Sequence, residues 1–162
     1  MKSQVFSEKQ IKDLAEGKEV VVVEPVKKGE YLDVHPTKGT PCIMIKYLKE
    51  TMMSILSFVG EEFSVKNKKG EKQWWCPKCK SFWIKGTKKF ACKHIFVTKP
   101  LLVRLDKIEE QIVFSVEKHY FETDLKNPDN RYCSRYRHLK KEINFKPKVN
   151  QEVWLQNFRR IE

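Results

Sequence analysis

Two pairs of metal-ligand residues constrain this chain more than any periodicity does. Cys76-x2-Cys79 is followed, after twelve intervening residues, by Cys92-x-His94. A tetrahedral zinc site takes its four ligands as two close pairs, each from one tight turn, brought together by a short hairpin. Pro77 limits the freedom of the "CPKC" turn, and Gly86 in "KGTKK" supplies a hairpin turn between "SFWIK" and "KFAC". Three thiolates and one imidazole suit zinc, which accepts sulfur and nitrogen together and closes at four ligands. Four protein ligands leave no open position for water, so the expected zinc ion is structural. A small lysine-rich segment has little core of its own, and a structural zinc contributes roughly 10–16 kcal/mol of apparent binding energy.

Other readings of these cysteines are weaker. A redox CxxC pair opens a helix after a strand, whereas here another strand-like run follows. Iron–sulfur centres favour four thiolates. Disulfides belong to oxidising compartments. The start of the chain, "MKSQVFSEKQIKDLAEGK", lacks the apolar core of a secretory signal. The runs "VVVV" and "MMSILSFV" are too short to span a bilayer. An intracellular protein, cytoplasmic or in the nucleoid or nucleus, is therefore expected. Cys42 and Cys133 read as small buried hydrophobes. His35 reads as a surface loop residue.

The stretch "FACKHIFV" resembles the second half of the SWIM zinc finger, in which a CxC pair and a spacer precede CxH and an apolar helix. The resemblance covers about residues 74–98, and its first pair is CxxC rather than CxC. It implies a ββα finger holding one zinc through Cys76, Cys79, Cys92 and His94. It also implies DNA or protein partners, and no reaction.

Charge points the same way. The chain carries a formal net charge of +12. Residues 64–100 hold eleven lysines against one glutamate, or +10, and residues 131–148 hold seven bases against one acid, or +6. Such a surplus favours an anionic partner, nucleic acid first. Lys78, Lys80, Lys85, Lys88, Lys89 and Lys93 surround the expected zinc and suit phosphate contacts that read no sequence. Aromatics are interleaved with them. Trp83, or Trp75, if exposed, would offer a stacking platform for unpaired bases. In the second block, Tyr132, Tyr136, Leu139 and Ile143 form an apolar helical stripe. Arg131, Arg135, Arg137, Lys140 and Lys141 would then line the outer surface, against a phosphate backbone or in a groove.

Around these blocks the chain reads as an α+β fold, a mixed small domain with an inserted ββα zinc finger. Residues 1–65 form the N-terminal part, 66–100 the insert, and 101–162 the C-terminal part with its basic helix. "SEKQIKDLAEGK" predicts a helix with Ser7 and Gln10 as a capping box and Gly17 as its stop. "EVVVVEP", "YLDVH" and "CIMIKYL" predict strands. "MMSILSFV" and "LLVRLDKIEEQIVFSV" fit helix or strand, and the closing "KPKVNQEVWLQNFRRI" a short strand or terminal helix. "VKNKKGEKQ" predicts a linker.

No Ser-His-Asp set, phosphate-binding glycine loop or HExxH helix is present. A non-catalytic nucleic-acid-binding protein is the leading expectation, with DNA favoured over RNA and no membrane or small-molecule substrate. A protein-interaction adaptor is the alternative. A third reading is a metal-dependent nuclease or a transposase- or recombination-associated factor, using Glu117, His119, Glu122 and Asp124.

Overall fold

A computed structural model describes residues 1–46, 53–84, 93–113, 145 and 151–161. Strand dominates, and the described residues form one α-helix, α1 (Glu8–Ala15). The strands are β1 (Lys2–Val5), β2 (Val20–Pro25), β3 (Glu30–Val34), β4 (Pro41–Lys46), β5 (Met53–Phe58), β6 (Glu62–Lys66), β7 (Gln73–Trp75), β8 (Phe82–Ile84), β9 (Lys99–Pro100), β10 (Leu102–Val113) and β11 (Gln151–Arg160). They make three sheets. The largest runs β1-β6-β10-β11-β2, with β1 and β6 parallel and its other pairs antiparallel. The other two run β3-β4-β5 and β8-β7-β9.

The helix forms where capping chemistry places it. Ser7 Oγ accepts the Gln10 amide N–H at 3.2 Å, and the Ser7 N–H donates to Gln10 Oε1 at 2.9 Å. Together they satisfy two otherwise orphaned donors of the first turn. Ile11, Leu14 and Ala15 are buried, and Gly17 ends the helix at a φ of +86°. The ambiguous runs resolve to strand in β5, β10 and β11. The segment read as a linker is instead a hydrogen-bonded hairpin. Asn67 Oδ1 accepts from the backbone N–H groups of Lys69 and Glu71, and Lys66 bridges Lys72. Such local side-chain acceptance holds a turn without apolar content.

Alternate residues of β11 serve opposite faces of the largest sheet. Trp154 and Phe158 belong to the main core with Phe6, Ile11, Leu14, Ile43, Phe63 and Trp75. Val153 and Leu155 form a second cluster with Val23. The main core is therefore shared by the helix, all three sheets and the strand end that leads into the cysteine pair. Among the described residues no helix is long and apolar enough to cross a membrane. The expected basic helix, with Arg131, Arg135, Arg137, Lys140 and Lys141, lies outside the described residues. So do Cys133 and the acids at 117–124.

Candidate metal centre

β7 is the middle strand of its sheet, and this alone explains how distant ligands meet. Trp75 pairs with Phe82 of β8 on one edge and with Lys99 of β9 on the other. Both neighbours are antiparallel to β7. The chain leaving β7 at Cys76 and the chain entering β9 from His94 therefore come to the same end of the sheet. The turn between β7 and β8 is closed by Lys80 N–H donating to Cys76 O at 2.8 Å and Cys76 N–H donating to Ser81 O at 2.9 Å. Lys80 carries the left-handed backbone that ends this turn, at a φ of 57°. On the other side a single 3-10 turn, Ile95–Val97, follows His94, with Val97 N–H donating to His94 O.

The result is a cluster. Donor atoms of Cys76, Cys79 and His94 all lie within 4.8 Å of one another. In a tetrahedral zinc site, with sulfur at about 2.3 Å and nitrogen at about 2.0–2.1 Å, donors sit roughly 3.4–3.8 Å apart. The observed set reaches that geometry with a small inward movement, and its two sulfurs and one imidazole match a borderline-soft ion. Cys76 is buried, while Cys79 and His94 are exposed. Cys79 Sγ lies 3.1 Å from Ser81 Oγ, a contact that would steady a thiolate. Cys92, the fourth expected ligand, lies outside the described residues, as do Lys85, Lys88 and Lys89.

The surroundings divide into an anchored side and an open side. Trp75, immediately before Cys76, is 2% exposed and is core, not a stacking platform. The Arg160 guanidinium lies 3.9 Å from its ring centroid and Lys99 Nζ 5.7 Å. Arg160 Nη1 also donates to Ala15 O, at the end of α1, at 2.6 Å. Trp83 is half-buried opposite Trp74, so it offers less open ring than an exposed platform would. Lys78, Lys80 and Lys93 are exposed, as are Lys68, Lys69 and Lys72. The Lys80 charge is also felt at the helix end. The Glu16 carboxyl is held below its ordinary value by its hydrogen bond and charge contact with Lys18, with smaller contributions from Lys12 and Lys80.

One residue was not singled out by sequence reasoning. Phe96, in the 3-10 turn beside His94, is fully exposed, and its neighbour Val97 is also exposed. The SWIM resemblance implies an apolar helix after the CxH pair, beginning at "IFV". Here a 3-10 turn and then β9 take its place, because β9 pairs with β7 and draws the chain into the sheet. The ββα form expected of the finger is replaced, among the described residues, by three strands and this turn. Of the remaining polar residues, Cys42 is fully buried as expected, and burial followed by the Asp33 charge pushes its thiol up. His35 is half-buried rather than a free surface residue: its ring packs on Phe58 and its Nδ1 accepts from the Thr37 and Lys38 N–H groups.

Comparison of the chain with family models, with curated protein sequences and with solved structures gives no match.

Proposed function

We propose that this chain is a non-catalytic nucleic-acid-binding protein whose Cys76, Cys79 and His94, with Cys92, hold one structural zinc in a SWIM-related finger. The observation that carries the reading is the meeting of three soft donors in one cluster ringed by exposed Lys78, Lys80 and Lys93. A metal there would fix the backbone that displays these ammonium groups, and lysine contacts phosphate as a point charge without reading bases. Among the described residues Phe96, fully exposed within the same module, is the aromatic best placed to stack on an unpaired base. DNA is favoured over RNA on the SWIM resemblance. The second basic block at 131–148 would extend the phosphate track.

The test is a fluorescence-anisotropy series with labelled duplex and single-stranded oligonucleotides over a range of salt. If about five phosphates are neutralised on duplex DNA, log K falls with log salt at a slope near −4.5. Phe96→Ala is expected to weaken single-strand binding by about 1–3 kcal/mol. Elemental analysis should find one zinc per chain, and chelation should reduce affinity. No retention at low salt, or a flat salt profile, overturns the reading.

A further inference from the structure

A cleft of about 230 Å³ opens between the five-stranded sheet and the β3-β4-β5 sheet, away from the cysteine cluster in sequence and in the strands that build it. Its walls are apolar where Ile43, Phe63 and Trp154 face it. Beside Lys2 and Ser3, its polar groups include Gln4, Glu24, Glu30, Ser57 and Gln156. Two of them are deeply buried: Gln156 is 5% exposed and Ser57 is 8% exposed. Among the described residues no hydrogen-bond partner serves the Gln156 amide or the Ser57 hydroxyl. Neither polar group is sealed from the solvent of the cleft, so each is open to a ligand that enters it.

The acids of the cleft are arranged differently. Glu30 is fixed, its Oε1 accepting from Trp154 Nε1 at 3.3 Å and from the Lys27 N–H at 2.7 Å. Glu24 stands beside Trp154 in the strand register. The residue as a whole is exposed, but its carboxyl is crowded by protein. That crowding raises it above the ordinary carboxylate value, the Gln4 hydrogen bond opposes the rise, and the Glu30 charge adds to it. The lysine lining the cleft, Lys2, is already engaged: its Nζ donates to Leu56 O and lies 3.1 Å from Glu61. In a chain of net charge +12 this recess is locally anionic and rich in acceptors.

We propose that the cleft binds a compact guanidinium-bearing ligand. A planar guanidinium has five N–H donors in a rigid fork. The cleft offers carboxylate oxygens from Glu24 and Glu30, with Gln156 Oε1 and Ser57 Oγ as further acceptors deeper in. The partly open apolar wall at Leu56 suits the flat face of such a group, while Trp154, 2% exposed, presents only an edge. The volume lies below the roughly 300–1,000 Å³ of sites for drug-sized ligands, so the ligand is small. A recess that joins the Gln156 amide and the Ser57 hydroxyl to two acids, with Lys27 offsetting only part of the Glu24 charge, matches this chemistry. The site is independent of the nucleic-acid reading, and its test uses no nucleic acid.

The experiment is isothermal titration calorimetry of the full chain with agmatine, with putrescine, with magnesium or calcium ions, and with a blocked Gly-Arg-Gly tripeptide. Agmatine is expected to bind at least 10-fold more tightly than putrescine. Gln156→Leu and Glu24→Gln should each lower that affinity at least 10-fold while thermal unfolding stays as cooperative as in the parent. If Gln156→Leu does not fold, Ser57→Ala and Glu24→Gln carry the comparison. Tripeptide binding tighter than agmatine supports the same chemistry and identifies an arginine side chain as its source; weaker tripeptide binding identifies a free small molecule. Equal affinity for putrescine, binding of the metal ions alone, or no heat with any organic cation overturns the proposal.

Discussion

Arg160 ties three parts of the molecule together, and replacing it measures how strongly the cysteine-bearing sheet is anchored. It is the last residue of β11, its guanidinium lies 3.9 Å from the Trp75 ring centroid, and its Nη1 donates to Ala15 O at 2.6 Å. Arg160→Met removes the charge and the donors but keeps an apolar stem on the indole. The hydrogen bond from a charged group is worth about 1.5–3 kcal/mol, and a partly desolvated cation–π contact about 0.5–2 kcal/mol. Since methionine recovers some packing, the expected loss is roughly 2–4 kcal/mol. In a chain of this size that corresponds to a drop in melting temperature of about 4–16 °C. Urea unfolding followed by circular dichroism reads the loss directly. Trp75→Phe by itself leaves a cavity, so the specific contact is isolated by the double variant, with a coupling of about 1 kcal/mol expected. Arg160→Lys should fall between parent and Arg160→Met, because it keeps charge but not the planar fork. Additivity within about 0.3–0.5 kcal/mol, or a parent-like Arg160→Met, would refute the anchoring role.

Two further outcomes follow from single positions. Gly29→Ala is expected to cost at least about 2 kcal/mol by urea midpoint, since its φ is +89° and an added Cβ would stand 2.6 Å from Lys46 O; Gly39→Ala, at a φ of +70° with open space around it, should cost only about 1 kcal/mol. Glu24→Gln gives a pH test with a definite sign. A carboxyl raised in the folded state keeps its proton at a pH where the unfolded chain has released it, so stability is lost as pH rises from about 4.3 through the raised folded value. The glutamine variant avoids that loss, and its stability relative to the parent should be greater at pH 7 than at pH 3.5; an equal or reversed difference in urea midpoint contradicts the assignment.

Local chemistry was legible in the sequence, and long-range pairing was not. The Ser7–Gln10 capping box, the strands through Val20, Tyr31 and Ile43, and the Cys76–Cys79 pair depend on residues a few positions apart; His94, fifteen residues beyond Cys79, was legible as half of a second close pair with Cys92. By contrast, "LVRLDKIEEQIV" mimics a helix, with apolar Leu105, Ile108 and Ile112 at three and four residues' separation. The register of β10 against β11 shifts between Leu105 and Lys107, and Leu105 and Ile108 are both buried despite their odd spacing. A bulge of this kind breaks the two-residue period that marks a strand. In β11, Val153, Trp154, Leu155 and Gln156 are all buried, so both faces are covered and alternation vanishes. β1 is a polar edge strand, held by its parallel pairing with β6 some sixty residues away, which no local pattern announces. The cleft residues Glu24, Ser57 and Gln156 come from three different strands and form no motif at all.

The size of the β8-β7-β9 sheet decides what the metal can be responsible for. Its strands are three, three and two residues long. Isolated pieces of that length do not hold together in water. Its apolar contribution points one way: Trp75 lies in the main core cluster, and Phe82 packs against it. That end is organised by burial and by Arg160. Just beyond Trp75, at the same end of the sheet, buried Cys76 gives way to exposed Cys79, Lys93, His94 and Phe96, which bring no buried apolar side chain of their own among the described residues. Backbone hydrogen bonds close each turn there, Lys80 N–H to Cys76 O and Val97 N–H to His94 O, and the cysteine–histidine cluster is the chemistry that would tie the two turns to each other. Burial and ligation thus meet at one end of this small sheet, burial holding Trp75 and Cys76 and ligation reaching out to exposed Cys79 and His94. A metal at this site would order the face that carries the lysines and Phe96, while the fold around Trp75 would persist without it.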